Sequence, residues 1–155
     1  MDNVIFKDII SKLERYCDYQ ERCSFDVINK LKNIDAPEVI FDDVIQYLEE
    51  HEYIDNLRYA KIFTSSKFSN KRWGKKKIYV ALRAKRIDSK DINIALAKID
   101  ENEYYNALVY ICETKLRNIG DIKTNVNKKK LLNFALQRGF ESTLIWQFIN
   151  ENTKN

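Results

Sequence analysis

Glycine and proline are scarce: the chain of 155 residues holds three of the first and one of the second. So little turn-forming material cannot serve the many hairpins of a β-sandwich or barrel, whereas the abundance of Lys, Glu, Leu, Ile, Asn and Asp favours helices joined by short polar loops. Histidine occurs once, at His51, and cysteine three times, at Cys17, Cys23 and Cys112, with no C-x-x-C spacing. That supply argues against both a disulfide framework and a zinc site. A glycine-rich phosphate loop is missing, and no cofactor or metal is expected. No run approaches the roughly 20 apolar residues that span a bilayer, and the N-terminus lacks the pattern of a signal peptide. Reduced thiols and a cytoplasmic location are the expectation.

What is present is a hydrophobic content of 45%, enough for a core and against disorder. The net charge of +4 is modest, yet unevenly spread. From Asp35 to Asp55 stand eight acids and no Lys or Arg; from Lys67 to Lys90 stand ten Lys or Arg against one acid, Asp88. A second basic run extends from Lys115 to Arg138, opposed by Asp121. Such polarity bears on the choice of partner more than the sum does.

Apolar residues recurring at three- and four-residue steps predict nine helices. The first covers about Asn3 to Tyr19 and the second Ser24 to Leu31, with Ser24 as N-cap. Asp35 and Glu38 form a capping-box pattern around Pro37 for a third, carrying Val44 and Leu48. The fourth runs from Asn56 to Phe68, ended by Ser65, Ser66, Ser69 and Asn70. The fifth, from Trp73 to Lys85, has Ile78, Ala81 and Leu82 as its buried stripe. Asp88 with Asp91 and Asp100 with Glu103 cap the sixth and seventh, and helices over about Asn125–Gln137 and Ser142–Asn150 follow.

These helices group into three sets of three. Aligned without a gap, residues 77–96 place Lys77, Ile78, Lys85, Ile87, Ile92 and Leu96 on Lys130, Leu131, Arg138, Phe140, Ile145 and Ile149. Val27 and Leu31 fit on Ile78 and Leu82 before an insertion is needed. Self-similarity at this period predicts an all-α tandem array of three three-helix repeats, a curved and elongated molecule with units over 1–54, 55–99 and 100–155.

On a helical wheel Arg72, Lys75, Lys76, Tyr79, Arg83 and Arg86 share one sector, with Lys71 beside it. Five cations and an aromatic ring suit a polyanion, and Arg also forks onto carboxylates of a protein partner. A solvated face is the plain alternative. Lys128 and Lys129, with Lys130, stand at a helix start where the dipole disfavours cations, so a phosphate or an acidic partner would relieve them; chance in a Lys-rich chain is the other reading. Trp73-Gly74 is either a stacking residue on a turn or an anchor whose glycine admits close approach. The tyrosines read as inter-helix packing with hydroxyls at the rim. His51 reads as a surface residue, and no nucleophile context or carboxylate cluster marks a catalytic site.

The residues Tyr16 to Ser24 with Arg22, Tyr53-Ile54-Asp55 with Arg58-Tyr59-Ala60, Trp73-Gly74 with Lys77-Ile78 and Leu82, and Arg138-Gly139-Phe140 together resemble the RecX family of recombination regulators, in order and over nearly the whole chain. The resemblance implies a three-repeat helical array that is not an enzyme. It also implies a partner, the RecA recombinase filament on DNA, with modulation, usually inhibition, of its ATPase and strand exchange. Two departures stand out. Asp55 is followed by Asn56 where a second acid is frequent, and Arg86 precedes Ile87 where the last repeat has Gly139. A monomer that binds single- or double-stranded DNA through its basic face is expected, and the rival reading is a nucleic-acid-binding protein acting without RecA.

Overall fold

The structure is a computed structural model that describes residues 3–154; the outermost residues of the expected first and third units lie outside it. Among the described residues nine α-helices and one 3-10 turn form the chain: α1 (Asn3–Tyr19), α2 (Ser24–Asn33), the 3-10 turn (Glu38–Ile40), α3 (Phe41–Glu50), α4 (Asn56–Lys71), α5 (Lys75–Ala84), α6 (Ser89–Leu96), α7 (Glu101–Ile119), α8 (Asn125–Gln137) and α9 (Ser142–Thr153). The all-α array of three-helix units is as the periodicity predicts.

Three helix junctions share one geometry. Asp35, Arg86 and Gly139 all have positive φ, of 55°, 59° and 98°. At each, the next residue reaches back across the turn: Ala36 N–H to Leu31 O, Ile87 to Leu82 and Phe140 to Ala135, at 3.0, 3.1 and 3.2 Å. These are Schellman-type closures of α2, α5 and α8. The gapless match of the second and third units therefore has a structural counterpart, with Ile78, Leu82, Ile87 and Ile92 fully buried like Leu131, Ala135, Phe140 and Ile145. The insertion needed by the first unit falls where it carries its extra 3-10 turn.

Several boundaries differ from expectation, each for a local reason. Asp35 does not cap α3; its backbone closes α2, donating to Lys32 O, and α3 starts only at Phe41. Cys23, not Ser24, is the N-cap of α2. The helix α4 runs through Ser65, Ser66, Ser69 and Asn70 to Lys71 because its packing on α6 outweighs their weak propensities. It ends at Arg72, which adopts the left-handed conformation, while Trp73 N–H reaches Lys67 O at 3.2 Å. Hence α5 begins two residues later than expected, with extended Gly74 as N-cap. In α6 the Asp88 carboxylate accepts from Lys90 N–H, and Asp91 takes no part in the cap. Asp100 accepts from Glu103 N–H as predicted.

The core is in two bodies. Ile9, Ile10, Leu13, Val27, Leu31, Val44, Leu48 and Ile54 enclose the first; residues of α4 to α9 form one continuous second core that also takes in Cys23. Each fully buried Leu, Ile or Phe contributes about 1.5–3 kcal/mol by removal from water.

Candidate nucleic-acid and protein interface

The two joints between units account for much of the polar chemistry. At the first, Ser24 and Asn56 exchange hydrogen bonds of 3.0 Å, Ser24 N–H to Asn56 Oδ1 and Asn56 Nδ2 to Ser24 Oγ. Arg58 Nε binds Glu21 at 2.7 Å while its Nη atoms donate to the carbonyls of Glu52 and Tyr53. Nearly buried Asp26 accepts from Cys23 N–H, from the Cys23 thiol and from Lys85 Nζ, the last at 2.6 Å. Arg22 lies over the Tyr16 ring at 3.7 Å and donates to Tyr16 O.

At the second joint the start of α5 sits on the turn between α8 and α9. Gly74 N–H donates to Arg138 O at 2.7 Å and Lys76 N–H to Gly139 O at 3.0 Å. Lys75 N–H donates to the Tyr104 hydroxyl, which in turn donates to Glu141. Burial above all, and then Glu141, pushes that phenol well above its usual range. Arg138 Nη2 reaches back to Lys71 O at 2.6 Å. Lys85 and Arg138, equivalent by the repeat, thus each hold a joint. The motif residues Arg58, Gly74, Arg138 and Gly139 serve the stacking of units, whereas Arg22 braces Tyr16 within the first.

The sector drawn on the wheel is dispersed by these turns. Arg72 and Arg86 lie outside α5. Arg72 stands over the Tyr110 ring at 3.9 Å, and Arg86 is 5.3 Å from that of Phe25. Lys75 Nζ is 4.7 Å from the Tyr104 ring, Tyr79 is half-buried against the second core, and Arg83 Nη1 donates to Ile87 O at 2.9 Å. On α5, Lys76, Val80 and Arg83 share an exposed face. The side chains of Lys71, Lys76, Lys128 and Lys129 make no hydrogen bond, ring contact or ion pair among the described residues, and none of the nine candidate residues pairs with a carboxylate. The helix α8 starts at Asn125, with Thr124 as its cap accepting from Asn127 N–H, so Lys128 closes its first turn and Lys129 opens the second.

Trp73 is an anchor: half-buried, edge-on to Phe63 at 6.3 Å, with Lys67 and Lys77 ammonium groups 5.0 and 4.6 Å from its ring. Its glycine admits close approach, as the alternative reading had it. Tyr104 and Tyr105 place their hydroxyls on Glu141 and Glu151, whereas Tyr19 is 82% exposed and belongs to neither core. His51 is exposed at the end of α3, stacked on Tyr47. No group of three His, Cys, Asp or Glu among the described residues could hold a metal, and no helix is long and apolar enough to cross a membrane.

All three thiols are buried and unpaired. Burial pushes Cys17 and Cys23 up to about 11 and Cys112 to about 12. The native protein at about pH 8 is expected to resist thiol reagents that label the denatured chain within minutes, since only the thiolate reacts; equal labelling of both would contradict this. The folded values lie above the unfolded one near 8.5, so the folded chain keeps protons that the unfolded chain releases. Stability from this source is intact below about pH 8.5 and falls as pH rises toward the folded values.

Two helical cores joined through charged and close-packed turns define a tandem array of three-helix units with a cationic surface. The pattern described as the second three-helix domain of RecX matches residues 55–96. Regulatory protein RecX of Finegoldia magna is 33% identical over 128 residues, 81% of this chain and 62% of that protein; that of Clostridium acetobutylicum is 29% identical over 79% and 58%. Regulatory protein RecX of Haemophilus influenzae is 24% identical over 98% of this chain and 97% of its own length. The crystal structure of RecX from Lactobacillus salivarius has the same fold, with a TM-score of 0.82 at 23% identity over 95% of this chain and 97% of that one. In sequence and in fold the chain is similar to the RecX family of regulatory proteins. It spans 62%, 58% and 51% of the curated relatives from F. magna, C. acetobutylicum and Limosilactobacillus reuteri.

Proposed function

We propose that the chain regulates a RecA recombinase by binding the RecA–DNA filament and inhibiting its ATPase and strand exchange, as a cytoplasmic monomer that catalyses nothing itself. Its units over 1–54, 55–99 and 100–155 act as a scaffold, and the surface carrying Lys71, Arg72, Lys75, Lys76, Tyr79, Arg83, Arg86, Lys128 and Lys129 meets DNA phosphates and acidic protein surface. The likeness to regulatory protein RecX supports this, and one observation carries the choice of surface: none of its cations is neutralised by a carboxylate. Where Arg72, Lys75, Arg83 and Arg86 also pack on rings or carbonyls, Lys71, Lys76 and Lys129 have no structural duty. Substituting these three with Glu should leave helicity and melting unchanged while restoring RecA ATPase on single-stranded DNA to its uninhibited rate. Inhibition equal to that of the unaltered protein would remove the surface from consideration.

The same unpaired cations favour a second reading, direct binding of DNA or RNA without RecA. If about five phosphates are neutralised, single-strand affinity falls with a log–log salt slope near −3.5. Tight binding to bare DNA with no effect on RecA would decide for it.

A further inference from the structure

Along the seam of α5 and α8 lies an open groove of about 420 Å³, lined by Trp73, Lys76, Lys77, Val80, Ala81 and Leu136. Val80 is 68% exposed and Leu136 38%. Neither is needed to close the core, whose α5 and α8 residues are Ile78, Leu82, Leu131 and Ala135. Lys76 precedes Val80 by one turn of α5, and Lys129 precedes Leu136 by two turns of α8, so cations continue each apolar wall along its own helix face. No carboxylate lines the groove.

We propose that this groove docks a protein segment whose apolar side chains are flanked by Asp or Glu. Val80, Ala81 and Leu136 would take the apolar anchors, and Lys76 with Lys77 the acids. Exposed apolar surface rimmed by charge of one sign is the ordinary form of such a site. Nucleic acid suits it less. The walls offer a base edge only Gln137, and the one aromatic ring, Trp73, is already flanked by Lys67, Lys77 and Phe63. The inference rests on the reading of the chain as a regulator that engages a protein filament, and names the chemistry of the protein side of that contact.

The test uses the whole chain with isotope-labelled methyl groups and three probes: a helical peptide of Leu and Glu with Leu at i, i+4 and i+7, the same peptide with Lys for Glu, and an oligo-dT strand. The acidic peptide is expected to shift the Val80 and Leu136 methyl and Trp73 indole resonances; the basic peptide and oligo-dT leave them in place. Val80→Asp and Leu136→Asp should weaken the acidic peptide at least about tenfold. If either fails to fold by circular dichroism, Val80→Ala replaces it, with a loss of about threefold or more. Shifts with oligo-dT and not with the peptide, or with no probe, overturn the proposal. A second arm measures binding to RecA filaments. Peptide binding without filament binding overturns the RecA reading and leaves the groove standing; filament binding indifferent to Val80→Asp overturns the groove as the filament contact.

Discussion

Gly139→Ala is expected to lower stability by about 3–5 kcal/mol, a large part of what a domain of this size possesses. Two costs combine. The residue has φ of 98°, where an L side chain costs about 1–3 kcal/mol. A Cβ there would also stand 2.5 Å from Lys77 Cβ and 2.6 Å from Lys77 N, a backbone atom held inside α5. Relief requires the start of α5 to back away, which breaks the Gly74–Arg138 and Lys76–Gly139 hydrogen bonds. Gly120 supplies the control. Its φ of 96° is nearly the same, yet its added Cβ meets nothing nearer than Asn127 Nδ2 at 4.0 Å. Gly120→Ala should therefore cost only the conformational part, about 1–3 kcal/mol. Gly74→Ala is the converse, with ordinary φ of −74° and a Cβ 2.2 Å from Gly139 C, so its whole cost is steric. Urea unfolding of the three variants decides the matter: equal losses at Gly139 and Gly120 would show that the joint is soft.

That contrast explains a departure visible in the sequence. Arg86 stands where the third unit has Gly139, and both take positive φ. At Gly139 another backbone closes on the Cα, while Arg86 is exposed and tolerates a side chain at the modest cost of its conformation. Helices α1 and α8, the Asp100 cap and the repeat offset were legible because each depends on residues near in sequence. The C-terminal end of α4 and the start of α5 were not, since packing on α6 and contact with the turn after α8 decide them. For the same reason Lys85, Arg138 and Tyr104 escaped notice as joint residues, their partners across the joints lying 59, 67 and 29 residues away. The repeat alignment did hold one signal, the pairing of Lys85 with Arg138 in a set of mostly apolar equivalents. The wheel over-reached where it treated Arg72 and Arg86 as helical, because both sit in left-handed turns that redirect their side chains.

Lys85→Met is expected to be more damaging than Asp26→Asn, though each removes the same ion pair. The partners are unequally buried: the Lys85 side chain is 38% exposed and that of Asp26 10%. In Asp26→Asn the ammonium swings to water, and the amide oxygen still accepts from Cys23 N–H, so the loss is about 1 kcal/mol. Without Lys85 a carboxylate stays at the joint with only Cys23 to bond it, and an uncompensated buried charge costs more, about 2–3 kcal/mol at this partial burial. The double variant should then be more stable than Lys85→Met alone, since an amide in place of the Asp26 carboxylate leaves no charge to compensate. The hydrogen bond that Lys85 donates to Asp26 also raises the Lys85 ammonium above its usual value. That contribution is present below about pH 10 and lost as pH rises through the raised value, so the gap between Lys85→Met and the unaltered chain should narrow in strong alkali. Urea midpoints at about pH 7 and 11 measure both effects; Lys85→Met no worse than Asp26→Asn, or a double variant worse than either, would mean that Asp26 reaches solvent and the first joint does not depend on this pair.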